Sequence, residues 1–223
     1  MSSADVEETT EAPVSDEARE EIVALFTAEL GDQVLGSHIR PSDDVWIRVR
    51  RDAWREAGFV LRDRVGAKGF EFLSAIDWLP SPYGRYEESP TDPLPEIGTE
   101  FETGYAGGDT RFQVFARALS YERGLGVTLK VDLPDDDLSL PTWIPVYAGV
   151  NWHEREAHEM FGIDFPGHGN LAHIYLPGEF EGHPLRKDFP LLARIVKPWP
   201  GIVDVEPMPG SGAAEGAEEE AAQ

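Results

Sequence analysis

Apolar positions change period several times along this chain, and each change marks an element. Ile22, Val23, Phe26 and Leu30 recur at helical spacing, and Gly31 closes the run. Ser15 precedes it as the candidate cap, with Asp16 and Glu17 in the first turn, where the helix dipole favours anions. Val45, Ile47 and Val49 alternate with Trp46, Arg48 and Arg50, which predicts a half-buried strand. Asp52 to Arg64 predicts a second helix, with Trp54, Phe59 and Leu61 turned inward. Phe70 to Trp78 predicts a strand. Phe112, Val114, Phe115 and Leu119 open another, reaching about Glu122. A turn at Gly124 to Gly126 sends the chain back through Val127, Leu129, Val131 and Leu133 as an antiparallel partner. A last helix runs from about Tyr147 to Phe161, and Gly162 ends it.

This order predicts an α+β fold: a mostly antiparallel sheet with helices packed on one face, followed by a long extended C-terminal arm. Four segments follow. Residues 1–14 form a disordered acidic tail, 15–163 the α+β domain, 164–203 an extended partner-binding arm, and 204–223 a second disordered acidic tail. Within the domain, residues 79–110 hold Pro, Gly and Glu without an apolar period and read as a loop.

The arm departs from both helix and strand. Pro166, Pro177, Pro184 and Pro190 interrupt it, each removing a backbone donor. Yet Phe165, Leu171, Ile174, Tyr175, Leu176, Phe180, Leu185 and Phe189 recur through it, unlike a disordered tail. An irregular segment with regular apolar anchors needs a surface to lie on. Burying those anchors gains less than fixing the backbone costs, so the arm is expected to be ordered in a complex and loose alone.

Charge and cysteine usage narrow the function. The net charge is −23, but residues 1–21 hold eight acids against one base, and 204–223 hold six acids and no base. The acidity is concentrated in the tails, where it solubilises. A nucleic-acid phosphate backbone would be repelled, so no such partner is expected. Cysteine is absent, so the chain carries neither a disulfide nor a Cys-ligated iron–sulfur cluster. No apolar run is long enough to span a bilayer, and the first residues lack a signal peptide's basic and apolar regions. The expectation is a soluble cytoplasmic protein.

Five of the six histidines, His153, His158, His168, His173 and His183, fall in the last third. His153-Glu154 opens like the HExxH helix of a zinc protease, but the next histidine comes at i+5 and points away from the first. A stand-alone metal-dependent hydrolase is the weaker alternative. Glu154, Arg155, Glu156 and Glu159 read either as a solvated helix face with local ion pairs or as paired carboxylates for acid–base work. No nucleophile or phosphate loop accompanies them, and Gly104, Gly107 and Gly108 match no nucleotide fingerprint. Arg186, Lys187 and Asp188 stand between Pro184 and Pro190. The apolar residues around them press this triplet onto a surface, where its charges need partners.

Two long blocks, WHEREAHEMFGIDFPGH and EGHPLRKDFPL, closely resemble the signature of one family. It is the 30-kilodalton-type or C subunit of proton-pumping NADH:quinone oxidoreductase, respiratory complex I. Glu154, Arg155, Glu156, Glu159, Met160, Phe161 and Gly162 match its first part. Glu181, Gly182, Pro184, Leu185, Arg186, Lys187, Asp188, Phe189 and Pro190 match its second, and His168 closes the first block. Two departures stand out. Where the family usually reads GHPDLRRIL, Gly167 to Tyr175 lacks the two arginines, and the 79–110 loop is long for the family.

The resemblance implies a non-redox accessory subunit of the peripheral arm, on the cytoplasmic side of the membrane, touching the membrane only through the complex. It would bind the quinone-site (D) subunit near the B and I subunits, through the signature residues named above. FMN, iron–sulfur clusters and quinone would belong to other subunits, with no catalytic residue, cofactor or metal in this one. Related membrane-bound hydrogenases and plastid-type complexes contain equivalent subunits.

Overall fold

The computed structural model describes residues 16–41, 43–80 and 99–189. Both predicted tails, the candidate cap Ser15, most of the 79–110 loop, Pro190 and the rest of the arm lie outside them.

Helix α1 (Glu17–Leu30) presents Ile22, Phe26 and Leu30 to the core, as the spacing requires. Asp16, rather than Ser15, supplies the cap: its carboxylate accepts the Arg19 N–H at 3.3 Å. A short turn leads to β1 (Val34–Ile39), a strand that Gly36, Ser37 and His38 hide from any apolar alternation. Strand β2 (Val45–Val49) is buried at alternate positions. The predicted 52–64 helix is a composite. A 3₁₀ turn enters α2 (Trp54–Phe59), and a π turn at Val60–Arg64 leaves it. Strands β3 (Gly69–Asp77), β4 (Phe112–Ser120) and β5 (Leu125–Leu133) follow, then α3 (Val150–Phe161).

The five strands stand in the order β1-β2-β5-β4-β3. Three of the four pairings are antiparallel, and β2 with β5 is parallel, so the sheet is mixed. Strand β5 lies at its centre and is buried on both faces except at Asp132. One face carries Val45, Ile47, Val49, Leu73, Ala75, Val114, Ala116, Val127, Leu129 and Val131, all in one core with the buried sides of the three helices. Burying each of the Val, Leu and Ile side chains among them stabilises by about 1.5–3 kcal/mol. Trp54 of α2 stacks on Trp143, with centroids 4.3 Å apart, and Trp143 Nε1 donates to Trp54 O at 2.9 Å.

The core does not stop at 163, where the sequence predicts the domain to end. Phe165 is 1 % exposed, and Ser139 bridges to Asp164. Leu140 N donates to Asp164 O at 2.9 Å, and Thr142 N to Pro166 O at 3.2 Å. The first residues assigned to the arm therefore complete the body. Helix α3 shields the edge of the sheet, with His153 Nδ1 3.2 Å from Leu73 O on β3.

Candidate functional site

Four polar residues of α3 look alike in sequence and differ completely in place. Glu154 is fully buried. Its carboxylate accepts Trp143 N–H at 2.6 Å and the Thr142 hydroxyl at 2.5 Å. Burial raises its pKa to about 7, against the lowering effect of those two donors and of Arg55. The solvated-face reading therefore fails here: Glu154 organises the loop that delivers Trp143 to the core. Glu156 is half-buried. Arg155 reaches the downstream strip, donating from Nε to Ala172 O at 2.7 Å and from Nη2 to His173 O at 3.0 Å.

Glu159 does the complementary task. Its carboxylate accepts Ile174 N–H at 2.8 Å, Tyr175 N–H at 3.2 Å and the N–H of Leu176. Burial alone would raise the pKa of this side chain. Three converging amides outweigh burial and hold it below the usual carboxylate range. One helix turn thus grips the strip at both its carbonyls and its amides.

The second signature block folds back onto the end of the same helix. Gly162 ends α3 at φ 73°, the left-handed conformation that favours glycine. A Cβ there would collide with the His183 ring and the Arg186 guanidinium. Arg186 Nε donates to Phe161 O at 2.7 Å, and its guanidinium lies 5.4 Å from the Phe112 ring centroid. Leu185 N donates to Met160 O at 3.2 Å, and His183 Nδ1 to Glu159 O at 2.9 Å. Gly182 sits at φ 98° beneath the Phe189 ring, which leaves no room for a side chain.

Asp77, at the end of β3, completes the anchor. Its carboxylate takes Lys187 N–H at 2.7 Å and two bonds from Arg111, at 2.9 and 2.7 Å. Arg111 also pairs with Asp188 at 3.0 Å. Burial pushes the Asp77 carboxyl up, and Arg111 with the backbone amides brings it below its ordinary value. Asp77 and Arg111 carry no sequence signal: each is an ordinary charged residue at a strand end. Within the triplet, the Arg186 guanidinium and the Asp188 carboxylate find partners in the chain, while Lys187 contributes its backbone N–H. Glu181, Lys187 and Asp188 are exposed, and Pro184 is half-buried.

The histidines do not converge. His158 Nδ1 faces Ile163 O at 2.8 Å, and His173 Nδ1 faces Pro177 O at 3.0 Å. His168 Nε2 donates to Asn151 O at 3.2 Å, while its Nδ1 accepts Asn170 N–H at 3.0 Å, which fixes the tautomer. With His153 and His183, each of the five engages a different backbone carbonyl. Among the described residues no group of three or more His, Asp or Glu gathers as a metal site would require.

What these bonds achieve is display. With its backbone held, the strip leaves Ile174, Tyr175 and Leu185 at 36 %, 63 % and 50 % exposure, and Trp152 on α3 is 70 % exposed. Fold and site together define an α+β domain whose helix α3 maintains a folded-back strip with outward apolar side chains, an arrangement suited to docking.

Residues 47–194 match the family described as respiratory-chain NADH dehydrogenase, 30 Kd subunit. The chain belongs to that family. It is 42% identical over 134 residues, 60% of its length, to the C/D subunit of NADH-quinone oxidoreductase from Pseudomonas fluorescens. It is 50% identical over 88 residues, 40% of its length, to the protein of the same name from Photorhabdus laumondii. The matches span only 22% and 15% of those relatives. Among solved structures, a chain of the membrane-bound sulfane sulfur reductase, an archaeal respiratory membrane complex, shares the fold. It matches with TM-score 0.54 and 21% identity over 78% of this chain and 86% of that one. No helix among the described residues is long and apolar enough to cross a membrane.

Proposed function

We propose that this chain is the non-redox accessory C subunit in the peripheral arm of proton-pumping NADH:quinone oxidoreductase. It supports electron transfer from NADH to quinone by binding the quinone-site (D) subunit, beside the B and I subunits, on the cytoplasmic side of the membrane. FMN, the iron–sulfur clusters and quinone belong to its partners, and the catalytic residues lie outside this chain. Its membrane association runs through the complex.

The observation that carries this reading is the strip held by Arg155, Glu159 and Asp77 with Ile174, Tyr175 and Leu185 turned outward. Preorganisation lowers the entropy lost on docking, and tyrosine is among the residues that most often form hot spots. The curated relatives bear a single name for C and D together, which supports direct contact between the two modules. The metal-hydrolase alternative draws no support from histidines bound to five separate carbonyls.

Affinity capture of the tagged chain from membranes of its source tests the proposal. The quinone-site subunit should co-purify with NADH:quinone activity. Tyr175→Asp combined with Leu185→Asp should abolish capture while leaving the chain folded. Recovery with a hydrogenase module, or undiminished capture by the double variant, overturns it.

A further inference from the structure

The sheet face opposite the core holds a cavity of about 560 Å³, within the ~300–1,000 Å³ usual for small-molecule sites. Its walls are aromatic. His38 of β1 stacks on Tyr105, with centroids 4.4 Å apart and planes 6° from parallel. Trp46 of β2 meets Tyr105 edge-on at 5.6 Å and Phe115 of β4 at 6.4 Å. Trp78, after β3, lines the cavity as well.

Lys130 of β5 also lines this cavity, and it is 1 % exposed. Its Nζ donates to Tyr105 O at 3.0 Å and lies 5.2 Å from the Trp78 ring centroid. An ammonium has three donors, and among the described residues this is the one hydrogen bond it makes. Asp132, the nearest carboxylate in sequence, is already paired with Arg48 at 2.8 Å and with Gln113. Arg48 stands directly opposite Lys130 in the β2–β5 register, and its buried Nε has no partner among the described residues. Burial lowers the Lys130 pKa to about 8, with Asp132 working against that shift and Arg48 adding to it. A buried cation whose nearest carboxylate is shared with Arg48 and Gln113 is incompletely compensated, and an anion that enters the cavity relieves that cost.

We propose that this cavity binds a small, flat organic monoacid of the aromatic carboxylate class, its ring against the aromatic walls and its carboxylate on the Lys130 ammonium. The aromatic walls favour a planar body, since stacked and edge-on ring contacts add to area burial. Among the described residues that line the cavity, Lys130 is the one Lys or Arg, and it sets the charge. The site lies on the face of the sheet opposite the core and is independent of the docking strip.

The test titrates the full chain with naphthoate and with its uncharged amide. Binding is followed by calorimetry and by the indole N–H signals of Trp46, Trp78 and Trp152. Naphthoate should bind one equivalent and shift Trp46 and Trp78, with the amide weaker by about tenfold or more. Lys130→Met should remove the preference for the acid. If that variant fails to fold, the comparison of the two ligands on the unaltered chain still decides. Equal affinity for acid and amide, no saturation, or shifts confined to Trp152 overturns the proposal.

Discussion

Glu159 on α3 accepts the backbone N–H of Ile174 at 2.8 Å, and the next two amides of the strip converge on the same carboxylate. One side chain thus fixes the backbone on which the outward Ile174 and Tyr175 are mounted. Charged acceptors make the stronger hydrogen bonds, so the ionised state matters. Glu159→Gln should leave the sheet intact and raise hydrogen exchange at residues 174–176 by an order of magnitude or more. Protection of the same amides, measured against the intrinsic exchange rate at each pH, should fall in acid. A carboxylate with a depressed folded pKa contributes above its unfolded pKa of about 4.3 and loses that contribution as pH falls through the folded value. A protection factor at 174–176 that stays constant from neutral pH into acid would refute the role.

Glu154 gives the opposite sign. Its folded pKa is raised to about 7, so the folded chain binds its proton more tightly than the unfolded chain does. Stability from this group is full below about pH 4.3 and falls as pH rises towards 7, then levels off. The loss is on the order of 3 kcal/mol. Glu154→Gln keeps an acceptor for Trp143 N–H and offers a donor to the Thr142 oxygen. Denaturant titrations between pH 5 and 8 should show the variant lacking this slope and more stable at the upper end.

Arg186→Ala removes the bond to Phe161 O and the contact with Phe112. Those partners belong to the chain itself, so the effect should begin before any partner arrives. Exchange should rise at residues 185–189 in the isolated chain. In membranes the assembled complex should fall in amount, with near-normal turnover per complex. Reduced turnover at full assembly would assign Arg186 to the chemistry instead.

Truncation after Gly162 removes Ile163 and Phe165, both buried in the core. The loss should be about 3–6 kcal/mol at ~1.5–3 per side chain, leaving a weakened body. Truncation after His168 retains both and should melt close to the full chain. Both products should fail to assemble. Thermal melts followed by circular dichroism, with native gels of membranes, separate the two effects.

The sequence by itself determined the elements whose side chains repeat with a period. Ile22, Phe26 and Leu30 announced α1, and the alternations at Val45–Val49 and Val127–Leu133 announced β2 and β5, because local geometry dictates which positions share a face. It also determined the family, since two long motifs in order carry information that no single contact does, and it excluded cysteine-held clusters. Strand β1 escaped because Gly36 and two polar residues erase the alternation, and its pairing with β2 supplies what the residues lack. The parallel β2–β5 pairing also came from tertiary structure, because register between distant strands leaves no local pattern. So did the contrast between Glu154, buried under Trp143, and Glu159, clasping the strip. The arm's destination was the last such decision. Lys187 and Asp77 meet across 110 positions of sequence, and only the folded chain brings that donor to that acceptor.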